Sequence, residues 1–130
     1  FEGPPTQSLQ DRRIKRSPLR DVAGMLRSFD YAAYTILLGR VGVSRAEDAA
    51  RLEPWARFWS QWVSTAFLKS YFARMGDARI LPKSRAETNM LLRIFLLDRA
   101  LEEIRHELEA TPQWTIIPLK GLAQLLEMTD

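Results

Sequence analysis

The chain contains no cysteine, which excludes a disulfide framework, a thiol nucleophile and any Cys-ligated zinc site. Its single histidine, His106, rules out a two-histidine metal site and leaves little room for a Ser-His-Asp triad. No apolar run approaches the roughly 20 residues that span a bilayer, so no transmembrane helix is expected. The six glycines are scattered, with no glycine-rich loop to cradle a phosphate. A starting methionine is also missing. The chain opens Phe1-Glu2-Gly3-Pro4-Pro5, which does not look like a secretion signal, and the expectation is a cytoplasmic protein from which upstream sequence has been removed.

What is present is one domain's worth of chain. Its 130 residues are 46 % apolar and 27 % charged, near the averages of soluble globular proteins and against wholesale disorder. The net charge of +3 is unevenly spread: residues 11–20 carry five bases and one acid. Such a cluster is either a solvated strip pairing with acids elsewhere or a patch that touches phosphate. Nucleic-acid binding finds no support, because no aromatics are interleaved with the bases and no binding signature is present.

Residues 1–16 bear proline and glycine and then turn basic, with no amphipathic period; they read as an extended lead-in. Ser17-Pro18 should open a helix, serine as the cap and proline where no hydrogen bond is lost. Leu19, Val22, Leu26, Phe29, Ala33 and Ile36/Leu37 then recur at helical spacing, up to a stop near Gly39 or Gly42. Ser44-Arg45-Ala46-Glu47 is a capping box. Its helix meets Pro54, which is expected to restart or kink it. Trp55, Phe58, Trp59, Trp62, Val63, Ala66, Phe67, Tyr71 and Phe72 follow, with Gly76 as the stop. A second capping box, Ser84-Arg85-Ala86-Glu87, heads a stripe of Leu91, Ile94, Phe95, Leu97, Leu101, Ile104 and Leu108 that ends before Pro112. A last helix runs from Pro118 to about Glu127, with Leu119, Leu122, Leu125 and Leu126 inward. Only Trp114–Ile117 is β-like, too short to make a sheet. The expectation is an all-α fold of four main helices in one unit, with the Trp55/Trp59/Trp62 stripe in its core and a sugar subsite lined by some of these rings as the alternative.

The chemistry legible from the residues is modest. Asp98, Glu102, Glu103, Glu107 and Glu109 fall in one helix, interrupted by Arg99 and Arg105. Asp98–Glu102 and Glu103–Glu107 share faces at four-residue spacing. A solvated face, with Arg105 pairing to Glu102 and Glu109, is the plain reading; buried acid–base work is the other. His106 reads as structural or surface. By its own residues the chain is not a self-sufficient enzyme.

Three stretches resemble the maltokinase family, sugar kinases related to aminoglycoside phosphotransferases and often fused to trehalose synthase. Phe1-Glu2-Gly3 looks like the end of an Asp-Phe-Glu-Gly motif. Lys15 to Ala33 (KRSPLRDVAGMLRSFDYAA) is a long and specific match. Phe95 to Leu122 carries a Leu-x-Asp-Arg-Ala-Leu-x-Glu-x-Arg-x-Glu-Leu helix, then Pro112-x-Trp114 and Ile117-Pro118-Leu119-Lys120-Gly121.

The resemblance implies the helical C-terminal subdomain of a kinase-like larger lobe over residues 17–130, with residues 1–16 leading in from the metal-binding motif. The family uses ATP and Mg²⁺ to make maltose 1-phosphate for α-glucan synthesis. Its nucleotide-binding lobe, His-Gly-Asp loop and metal-holding Asp all lie outside these residues, so no catalytic residue is carried over and neither ATP nor Mg²⁺ should bind this stretch alone. Implied partners are maltose or a related disaccharide, the N-terminal remainder of the kinase and, where the family's common fusion occurs, a trehalose synthase domain, with no nucleic acid and no membrane. Glu2 would sit beside the metal site, as ligand or neighbour. Glu103 matches an acidic position that hydrogen-bonds the acceptor sugar, with a helix-surface role as its alternative. The chain departs from the family at Glu102 and His106, where Tyr is common, and at Thr111, where Arg is common. A non-catalytic helical interaction module is the alternative to the kinase reading.

Overall fold

The computed structural model describes residues 17–38, 48–76 and 78–127. The lead-in with Glu2, the Gly39 and Gly42 stops and the Ser44–Glu47 capping box lie outside the described residues. The fold is all-α. The described residues form four α-helices, α1 (Leu19–Leu37), α2 (Ala49–Met75), α3 (Arg85–Ala110) and α4 (Ile116–Glu127), with a 3₁₀ turn at Pro112–Trp114 between α3 and α4. No strand occurs among the described residues, and Trp114–Ile117 passes from that turn into α4. No helix described is long and apolar enough to cross a membrane.

Local hydrogen-bond chemistry sets the helix ends. Ser17 Oγ accepts from the Leu19 amide at 3.3 Å, and its carbonyl accepts from Arg20 N–H, which opens α1 where Pro18 needs no donor. Ser84 has extended backbone (φ −96°, ψ 134°) and its hydroxyl accepts from Glu87 N–H, as the capping box predicts. Gly76 ends α2 at φ +50°, a conformation suited to glycine. Pro54 does not restart its helix: α2 runs unbroken from Ala49 through it. Proline at this sixth helical position removes the N–H that would bond the Ala50 carbonyl, and the helix continues without it.

The organising element is α1. α2, α3 and α4 all pack against it, and α2 and α3 do not pack on each other. Leu19, Val22, Ala23, Leu26, Ala33, Tyr34 and Leu37 of α1 are therefore buried, with Ala100 of α3 and Ile117 of α4. Tyr34, Leu37 and Ile117 form a cluster flanked by Leu52, Ala56 and Trp114. Phe29 meets Phe67 of α2 edge to face, centroids 5.7 Å apart.

The tryptophan stripe is not core. Trp55 is 69 % exposed and Trp62 68 %, with Phe58 and Trp59 also exposed. α2 rests on α1 through a narrower, smaller line that includes Leu52, Ala56, Ser60 and Phe67. The same correction applies to α3 and α4. Ile94, Leu101 and Leu108 face outward while Thr88, Ala100 and Glu107 are buried; Leu119 and Leu126 are exposed while Ile117, Pro118 and Gly121 are buried. Small residues line these seams because the helices approach closely there, and bulkier apolar neighbours are left on the flanks.

Candidate functional site

The site builds on the contact between α1 and α3. Arg27 lies in the apolar stripe of α1, four residues after Ala23, and its side chain is almost wholly removed from solvent. Its Nε and Nη2 both donate to Glu103 Oε2, at 2.9 and 2.7 Å, and its Nη1 donates to Asp30 Oδ2 at 2.9 Å. Asp30 Oδ1 accepts from the Ser60 hydroxyl of α2. One turn further along, Tyr31 donates to Glu107 Oε1 at 3.2 Å, and Thr111 donates to the other Glu107 oxygen. The Arg27 guanidinium also stands 6.0 Å from the centre of the Tyr31 ring. At the start of α1, Arg20 bridges to Glu102, which also accepts from Arg99.

This polar seam satisfies a rule that sequence counting along one helix does not reach. A buried charge has to find a counter-charge or lose several kcal/mol. Arg27 finds two. α4 makes the room: a Cβ on Gly121 would stand 2.0 Å from Arg27 Nη1, so only glycine lets the helix lie over the guanidinium. α1, α3 and α4 thus meet at one arginine, and α2 joins them through Ser60 and Asp30.

The electrostatics follow from burial. Burial pushes the Glu103 carboxyl above the usual carboxylate range, and Arg27 pulls it part of the way back. Burial, with the nearby charges of Glu103 and Glu107, also pushes the Tyr31 phenol well up, so it stays protonated and a donor at neutral pH.

Beside the seam, an open cleft of about 690 Å³ lies between Gly24, Ser28 and Tyr31 of α1 and the Arg99–Glu109 stretch of α3. Glu102, Glu103 and Glu107 line it together with His106. Glu103, the expected acceptor-sugar residue, is thus half-buried at the cleft and fixed by Arg27. The expected solvated acidic face holds for Asp98 and Glu109, which are exposed, but Glu103 and Glu107 turn inward. Glu102 pairs with Arg99 and Arg20, and no ion pair joins it to Arg105 among the described residues. His106 is exposed at the rim. Arg27, Asp30 and Gly121 escape helical-spacing arguments, yet one signal is available: Arg27 falls four residues after Ala23, among the apolar positions of α1.

A mixed set of carboxylates, cations and a phenol can hold a hydroxyl-rich ligand by hydrogen bonds. Among the described residues, no group of three or more His, Asp or Glu side chains is placed to hold a metal ion, and Glu2 lies outside them. No protein-family model matches the chain.

Proposed function

We propose that the chain is the helical C-terminal part of the larger lobe of a cytoplasmic, ATP-dependent maltokinase, supplying scaffold and one wall of the acceptor-sugar site. The observation that supports this reading is how the two long stretches of resemblance meet. Residues 15–33 provide Arg27 and Tyr31; residues 95–122 provide Glu103 and Glu107; and these pair with one another. Gly121, at the end of the second stretch, makes room for Arg27. Residues that carry the resemblance are those that lock the helices together, as a likeness of fold requires.

In this reading ATP and Mg²⁺ are held by parts of the kinase other than these residues. Glu103 contacts the acceptor. Both Arg27 bonds fall on Oε2, so the carboxylate is oriented and Oε1 can accept from a sugar hydroxyl. Glu102 and His106 share its cleft, and Thr111 is engaged with Glu107. The departures from the family therefore cluster around the proposed sugar contact and bear on which disaccharide is preferred. In the intact kinase, Glu103→Gln should raise the acceptor KM by about tenfold, the size of one lost charge-assisted hydrogen bond, with the KM for ATP unchanged. An unchanged acceptor KM would leave Glu103 a purely structural partner of Arg27.

The exposed aromatic face of α2 favours a second reading, a helical interaction module without catalytic role. The polypeptide upstream separates the two. A His-Gly-Asp loop and an Asp directly before Phe1 would support the kinase, and a start codon near Phe1 would support the module.

A further inference from the structure

A second groove, remote from the α1–α3 seam, has a different chemical character. Thr65, Leu68, Lys69, Phe72 and Gly76 recur every three or four residues and form one wall on α2. Arg85, Thr88 and Asn89 form the facing wall on the first turns of α3, and the Ala78–Lys83 connection closes one end. Because α2 and α3 rest on α1 and not on each other, a space of about 1260 Å³ is left between them.

Among the described residues its lining is one-signed. Lys69, Arg79, Lys83 and Arg85 all border the groove, and no acidic side chain does among the described residues. No ion pair joins any of these four cations to a described carboxylate. Glu87, the acid of α3's first turn, is not part of the lining. The α1–α3 cleft, by contrast, is lined by both signs, Glu102, Glu103, Glu107 and Glu109 with Arg99 and Arg105. Like charges gathered around one concavity raise its potential and favour the entry of an anion. Arginine forks and lysine ammonium groups suit phosphate oxygens, and the positive end of the 26-residue α3 points the same way.

The groove is not only cationic. Leu68, Phe72, Leu81 and Pro82 give it apolar walls, and Thr65 and Asn89 add hydrogen-bonding groups. A bare inorganic ion would leave those walls wet. The volume exceeds the roughly 300–1000 Å³ of common small-molecule pockets, enough for a nucleotide-sized molecule. We propose that the groove between α2 and α3 binds a soluble organic phosphate, its phosphate held by Lys69, Arg79, Lys83 and Arg85 and its ring lying against Leu68, Phe72, Leu81 and Pro82. The site is independent of the maltokinase reading and departs from its expectation that ATP does not bind this stretch alone.

Calorimetric titration of the 130-residue chain with adenosine diphosphate, pyrophosphate and adenosine tests it. Adenosine diphosphate should bind about tenfold or more tightly than either pyrophosphate or adenosine, since it alone uses both halves of the groove. Its affinity should fall as salt rises. Arg79→Glu/Lys83→Glu should weaken it by a further tenfold or more, with helicity by circular dichroism unchanged, as these side chains are exposed. The proposal is overturned if adenosine diphosphate shows no binding at about 1 mM, if adenosine binds equally well, or if the charge reversals or salt leave the affinity unchanged. Binding of phosphatidylserine vesicles without binding of the soluble phosphates would also overturn it, assigning the cations to a membrane surface.

Discussion

Gly121 of α4 lies directly over the guanidinium of Arg27 of α1: a Cβ at position 121 would stand 2.0 Å from Nη1 and 2.7 Å from Cζ. The guanidinium cannot step aside cheaply, since the residue is only 2 % exposed and is bonded to Glu103 and Asp30. The pair fixes where α4 sits on the bundle and brings residues of α1, α3 and α4 to one point.

Gly121→Ala should therefore destabilise the chain by about 2–3 kcal/mol. Helix propensity alone predicts the opposite, a gain of about 1 kcal/mol for alanine over glycine. Urea denaturation of the two proteins decides between them. Stability equal to or above that of the unsubstituted chain would show that Arg27 yields its place freely.

Glu103 gives the pH dependence its sign. Burial raises its folded-state pKa above the unfolded value, so the folded protein holds the proton more tightly. The corresponding stability is fully present below about pH 4.5 and is lost as pH rises through the folded pKa. Glu103→Gln removes this slope and keeps an acceptor for Arg27. The stability of the unsubstituted chain relative to the variant should fall from pH 4 to pH 7, so the variant is the less disadvantaged at neutral pH. Denaturation curves of both at the two pH values check it; a relative stability that rises with pH would mean that attraction to Arg27 outweighs burial. Arg27→Met, which leaves Glu103 and Asp30 without their shared cation, should cost about 3 kcal/mol or more at pH 7.

The outward face of α2 makes a contrasting prediction. Trp55→Gln and Trp62→Gln should each change stability by no more than about 0.5 kcal/mol, because both rings are mostly in water. A loss of about 3–5 kcal/mol in either, as for an emptied core position, would restore the tryptophans to the interior.

These residues mark the limit of reading the fold from sequence. The starts at Ser17-Pro18 and Ser84 and the end before Pro112 were legible because caps and proline act within a few residues of backbone. Helical spacing correctly placed Trp55, Trp59 and Trp62 on one side of α2, but periodicity does not say which side meets a neighbour. α2 carries apolar residues on two faces, and the smaller one, with Ala56 and Ser60, allows the closer approach to α1. The acidic run misled for the same reason. Counting by four along α3 pairs Glu103 with Glu107, whereas the partner that turns Glu103 inward is Arg27, 76 residues earlier. The site was half legible: Glu103 was singled out through the resemblance, and the arginine and glycine that fix it were not.

Phosphoryl transfer to maltose is the decisive test of the proposed kinase role. The intact protein of which this chain is proposed to be part, incubated with ATP, Mg²⁺ and maltose, should produce maltose 1-phosphate detectable by mass spectrometry. The 130-residue chain in the same assay should produce none. Absence of maltose 1-phosphate with the intact protein while another sugar is phosphorylated would contradict the substrate; absence of any sugar phosphate would contradict the kinase assignment itself.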